Sequence, residues 1–239
     1  IDDNDYMVDV TIADKSELLI VPVDIDEKTQ IAEAAVIIER MDYDIPKPFD
    51  SLDKVAIVGQ VRESLNENGD TMFKLEVLSG DVLEKPYIMQ DAVMADTVAK
   101  LKCGDLIYYN TKQNGEINNI QYVASMSTLG KDYFIDSVTG GKKMLFAQAQ
   151  SIELNRLDAR YNEMVDVLSL YANGETKRYS AILREDGPTV YSYSRSSGKI
   201  RSASTDEILT IEEVGEDASD LFITEQSNNT PEVIVIVEK

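Results

Sequence analysis

Short runs of β-branched, aliphatic and tyrosyl residues recur along this chain, each cut off by Gly, Asn or Asp, and the interruptions leave little room for long helices. Two-residue alternation with β-branched enrichment marks strands. Val8 and Val10 share one face of residues 6–12, while residues 18–23 and 34–39 are nearly continuous apolar runs. Further strands are expected over residues 55–61, 72–78, 106–110, 117–123, 164–171, 189–193, 221–224 and 233–237. Only residues 91–101 and 26–34 read as short helices.

The turns are explicit. Asn68-Gly69-Asp70, Ser79-Gly80-Asp81, Asn114-Gly115, Asn173-Gly174 and Ser197-Gly198 each separate two strand-like runs. Gly and Asn accept the positive φ that tight hairpins demand, so most connections should be antiparallel.

Residues 55–123 and 145–237 share an order of elements. In the first, a strand leads through a polar turn to residues 73–80, then to Lys85-Pro86-Tyr87-Ile88, and closes on Gly104-Asp105-Leu106-Ile107-Tyr108-Tyr109, Asn114-Gly115 and a last strand. In the second, residues 145–152 lead to residues 166–174, then to Lys177-Arg178-Tyr179, and close on Ser219-Asp220-Leu221-Phe222-Ile223, Asn228-Asn229 and Val233-Ile234-Val235-Ile236-Val237. A repeated unit implies modules in series. The expected fold class is therefore mainly β, with tandem small antiparallel barrels or sandwiches and one or two short helices. The expected division is an N-terminal β segment with a stiff linker over 1–53, one module over 54–126 and a second over 127–239. Because the chain begins with Ile1 rather than Met, it reads as a processed product or a piece of a longer one.

Composition removes several functions. With 44 Asp and Glu against 23 Lys and Arg in 239 residues, the formal charge is −21, which repels phosphate backbones and anionic membranes. No nucleic-acid partner and no membrane insertion are expected on that ground. The chain has no histidine, which removes the commonest general base and ordinary zinc sites. Gly140-Gly141-Lys142 lacks the rest of a phosphate-binding loop, and no G-x-S-x-G elbow occurs. Carboxylates remain, but without tryptophan to form a sugar platform they read as solvated surface, and no enzyme is expected. Cys103 is the only cysteine, expected as a buried filler. Tyr191 and Tyr193, beside Arg195, offer either a binding stripe or packing, with packing favoured on a half-buried strand.

No cofactor is expected, with calcium the one ion to consider, since it takes several oxygen ligands. The dense acidic clusters make Asp24, Asp26 and Glu27, and Glu216, Asp217 and Asp220, the weak candidates for metal ligands. None follows a known calcium-loop spacing.

The phrase Lys102-Cys103-Gly104-Asp105-Leu106-Ile107-Tyr108-Tyr109, followed by Asn114-Gly115-Glu116-Ile117, resembles the closing hairpin of repeated β modules in Gram-positive S-layer and S-layer-homology-domain surface proteins. Residues 218–236 are similar to the terminal strands of those modules, and Gly198-Lys199-Ile200 to the strand before them. The resemblance spans about residues 34–239, contains no anchoring segment and carries no catalytic residue. It implies an extracellular, cell-surface structural protein that self-associates with copies or sister modules. That role has two rivals: a bacteriophage virion or tail component, and a module binding a cell-wall polymer or polysaccharide. Val233, Val235 and Val237 are the expected assembly residues, in a strand buried or paired across a subunit boundary.

Overall fold

The computed structural model describes residues 17–25, 32–40, 52–130, 132–139, 142–159, 162–172, 177–184, 187–227 and 229–238. Two units result, Ile1–Pro46 and Lys47–Lys239. In the first, β1 (Glu17–Ile25) pairs antiparallel with β2 (Ala32–Arg40), Val21 opposite Val36. The helix expected over residues 26–34 is corrected at its end: Ala32, Glu33 and Ala34 are extended and belong to β2. The apolar run that follows them, Ala35 to Ile38, pairs across β1 and draws them into the ladder. The rest of that helix, residues 26–31, and the strand expected over residues 6–12 lie outside the described residues.

The second unit is mainly β, as expected, with two short α-helices among the described residues. Its first sheet contains β3 (Lys54–Leu65), β4 (Thr71–Ser79), β5 (Val82–Glu84), β6 (Tyr87–Met89), β7 (Asp105–Thr111) and β8 (Ile117–Ser125) in the order β5-β4-β3-β7-β8, with β6 beside β4. Helix α1 (Ala95–Lys100) lies between β6 and β7 in sequence. It is shorter than the expected 91–101 because Met94 at its N-cap supplies no side-chain bond and Leu101 is already extended. The second sheet contains β9 (Phe134–Thr139), β10 (Lys142–Asp158), β11 (Glu163–Ala172), β12 (Lys177–Leu183), β13 (Thr189–Ser194), β14 (Ile200–Ser202), β15 (Asp220–Ser227) and β16 (Thr230–Glu238). Its order is β12-β11-β10-β15-β16-β13-β14, with β9 beside β10, and α2 (Ile211–Val214) precedes β15.

The two sheets share one pairing scheme. β3 gives its first residues to β7 and the rest to β4, through a bulge between Val58 and Gln60. β10 likewise pairs with β15 at its start and with β11 beyond, with a bulge between Ala149 and Ser151. Gly59 sits at the first bulge, where a Cβ would lie 3.3 Å from the Glu76 carbonyl oxygen and 3.4 Å from Ile200 Cδ1. Each sheet curls back on itself without closing into a barrel: Tyr87 N–H donates to the Gly115 carbonyl at 3.3 Å, and Ile182 N–H to the Asn229 carbonyl at 2.8 Å.

Side-chain alternation sorts most of the buried apolar residues among those described into three cores, with a small cluster of Val165, Val167 and Ile182 besides. Ala56, Val58, Leu75, Val77, Ile107 and Ile120 fill the inside of the first sheet. Leu145, Leu168, Leu170, Leu221, Ile234 and Ile236 fill the inside of the second. Between the sheets lies a third core, to which the first sheet gives Ile57, Leu78, Leu106 and Tyr108, and the second Phe146, Tyr191, Phe222, Val233, Val235 and Val237. An uninterrupted apolar strand such as β16 is what burial on both faces requires. Polar groups in the same seam are paired: Tyr191 Oη accepts the Gly80 N–H at 2.8 Å and donates to the Val55 carbonyl at 3.2 Å, and Tyr108 Oη donates to Glu232 at 2.6 Å.

Candidate ligand-binding face

The residues singled out from the sequence are scattered. Asp24 lies in β1, while Asp26 and Glu27 lie outside the described residues. Glu216 and Asp217 sit exposed on a single 3-10 turn, Gly215–Asp217. Asp220 is buried at the start of β15, where it accepts the Tyr133 hydroxyl at 2.6 Å. Among the described residues, no three carboxylates or thiols converge as a metal site would need. Tyr191 and Tyr193 are buried and pack, so they form no surface stripe. Cys103 is half-buried and its thiol donates to the Gly198 carbonyl at 3.0 Å. Burial, and then the nearby Asp105 carboxylate, raise its pKa and keep it a thiol.

Val233, Val235 and Val237 are buried in β16, which pairs with β15 on one side and in parallel with β13 on the other. Both edges of that strand are therefore used within the chain, and neither is left for a neighbouring subunit.

Residues that carried no functional expectation in the sequence form a surface. The face of the first sheet that is covered by the second around Ile57 and Leu78 continues, past the bulge, along the far ends of β3 and β4 and across β6. Directly opposed residues share a face. Arg62 of β3 stands opposite Lys74 of β4, which stands opposite Tyr87 of β6, so two cations and an aromatic ring form one row over three strands. At about 4.8 Å between strands, that row is roughly 10 Å long. The neighbouring row is Ser64, Met72 and Met89, and the row on the other side places Gln60 opposite Glu76.

Arg62 and Lys74 are exposed, and Tyr87 and Met89 are half-buried. Arg62 Nη2 donates to Gln60 Oε1 at 2.5 Å, which holds the guanidinium over the face. Lys74 has no ion-pair partner among the described residues, and Lys85 Nζ lies 4.0 Å from Glu76. Two rigid turns border the surface. In residues 66–70, Asn66 Oδ1 accepts both the Asn68 and Asp70 N–H groups at 2.9 Å. In residues 112–116, Lys112 pairs with Glu116 at 3.0 Å, and the Gly115 carbonyl reaches Tyr87.

No protein-family description matches the chain. Nor does any curated protein. Among solved structures, the chain is similar to the crystal structure of tetrameric p202 HIN2 at 9% identity, covering 80% of this chain and 94% of that one, with a TM-score of 0.24. It is also similar to wild-type single-stranded DNA binding protein from Thermus aquaticus at 10% identity, covering 77% of this chain and 87% of that one, with a TM-score of 0.20. Two expectations are overturned. The self-assembling surface-layer role, with its virion and wall-polymer rivals, is withdrawn: β16, the strand expected to carry assembly, has both edges paired within the chain and its valines buried. The exclusion of nucleic acid, and with it a partner list of chain copies and wall polymer, is withdrawn too: a charge summed over the whole chain does not describe a local face, and Arg62, Lys74 and Tyr87 make one face cationic and aromatic.

Proposed function

We propose that the Lys47–Lys239 unit is a non-catalytic recognition module that holds single-stranded nucleic acid against the open end of its first sheet. The observation that carries this reading is the row Arg62, Lys74, Tyr87 across β3, β4 and β6. Proteins that hold single strands combine cations that follow the phosphates with flat side chains on which bases stack. Arg62, Lys74 and Lys85 supply the first, and Tyr87, with the half-buried thioether of Met89 in the neighbouring row, supplies the second. In partly open, five-stranded Greek-key barrels the second and third strands also form the ligand face, and in the first sheet those positions are taken by β4 and by the consecutive short strands β5 and β6 beside it.

The net charge of −21 shapes the interaction. Long-range repulsion slows encounter, so binding rests on contacts made within a Debye length of the face, about 8 Å at physiological ionic strength. Three phosphate contacts give a slope of about −2 for log K against log salt. Fluorescence anisotropy with a labelled oligothymidylate checks this. Replacing both Arg62 and Lys74 with Ala is expected to flatten that slope by more than about 1. Tyr87→Ala is expected to weaken binding by about 1–3 kcal/mol. Amide shifts on β3, β4 and β6 should accompany binding. A protein that ignores the oligonucleotide, or that instead takes an uncharged oligosaccharide on this face, overturns the proposal.

A further inference from the structure

A second cationic feature lies away from that face, where α1 ends and β7 and β8 run side by side. Here Lys100, Lys102, Leu101, Tyr122, Thr97 and Thr128 enclose a cleft of about 400 Å³. Sites for small ligands fall in the range of about 300–1,000 Å³, so this one suits a small occupant. Lys100 and Lys102 are exposed, and neither has an ion-pair partner among the described residues, in a chain whose carboxylates outnumber its ammonium and guanidinium groups by nearly two to one. Both lysines border one open space.

The remaining lining holds one carboxylate, Asp105, which opposes an anion, beside groups that can donate or stack. Asp105 reaches the cleft, but it is buried and its Oδ2 already accepts the Lys102 N–H at 2.7 Å, which fixes it as part of the floor. Burial first, and Asp105 second, raise the pKa of Tyr122, so its hydroxyl stays protonated and able to donate. Leu101 is buried, whereas Tyr122 is 44% exposed and lines the same cleft as the two lysines. Thr128 Oγ1 donates to the Ser125 carbonyl at 3.3 Å, closing the loop that forms the far wall.

We infer that this cleft binds a phosphate monoester with a flat organic part, the ammonium groups of Lys100 and Lys102 taking the phosphate and the Tyr122 ring taking the flat part. Charge-assisted bonds to phosphate oxygens and stacking on tyrosine are the two strongest contacts that this lining can make. The cleft shares no residue with the row of Arg62, Lys74 and Tyr87, and its ligand does not depend on what that row binds.

Isothermal titration calorimetry and amide-shift mapping with adenosine monophosphate, inorganic phosphate and adenosine test it. The monophosphate should shift the amides of Lys102, Tyr122 and Thr128 and bind more tightly than either inorganic phosphate or adenosine alone. Replacing both Lys100 and Lys102 with Gln should weaken it at least tenfold while the melting temperature stays unchanged, since both side chains are exposed. The Arg62 and Lys74 variants should bind it as the parent does, which separates this outcome from the fate of the oligonucleotide proposal. If the monophosphate binds no better than adenosine, or if the lysine variants bind it equally well, the inference fails.

Discussion

Val235→Asp is expected to lower the melting temperature by about 10–20 °C, or to abolish cooperative unfolding altogether. Val235 is fully buried, opposite Phe222 on β15 and Tyr191 on β13, with its side chain in the core between the sheets. An aspartate there replaces apolar contact with an unpaired buried charge, which places it among the substitutions that cost about 4–5 kcal/mol. For a unit of this size each kcal/mol moves the midpoint by about 2–4 °C. Thermal unfolding followed by circular dichroism gives the answer. A shift of only a few degrees would show that β16 is not a central strand.

Gly104→Ala is expected to cost about 2–5 kcal/mol, a large effect for one methyl group. Gly104 has φ +87°, where a side chain costs about 1–2 kcal/mol. Its added Cβ would also stand 2.7 Å from Cε2 of Tyr193, and overpacking of that kind costs about 1–3 kcal/mol. A cycle with Tyr193→Leu separates the two: the smaller side chain should relieve the clash, while the backbone cost stays. A neutral Gly104→Ala in chemical denaturation would overturn both parts of this account.

Much of the second unit could be read from its residues. The alternating runs became strands, the Asn68-Gly69 and Asn114-Gly115 turns became hairpin turns with φ of +87° at Gly69 and +86° at Gly115, and the shared order of residues 55–123 and 145–237 became a shared pairing scheme. The spacing differed because the second sheet carries β13 and β14 between β12 and β15, and because β10 has 17 residues against 12 in β3. The parallel pairing of β13 with β16 was not legible: it sets Thr189 opposite Val233, far apart in chain order, with β14, α2 and β15 among the elements between them. Such contacts follow from three-dimensional packing alone.

The row of Arg62, Lys74 and Tyr87 was hidden for a different reason. Summed over the chain, charge is acidic, and three residues on three strands raise no local run. Yet a signal was present. Arg62 and Lys74 are equally distant from Asn68, so the hairpin turn alone determines that they face each other. The Lys100 and Lys102 cleft had no comparable signal, since it depends on where α1 stops.

The core between the sheets has one more consequence. Leu106 and Tyr108 from one side and Phe222 and Val235 from the other bury a single shared set of surfaces, so opening either sheet alone would wet the apolar back of its companion. Amide protons in β7 and β16 should thus exchange with solvent through the same global excursion, making the pair one cooperative foldon despite its doubled pattern.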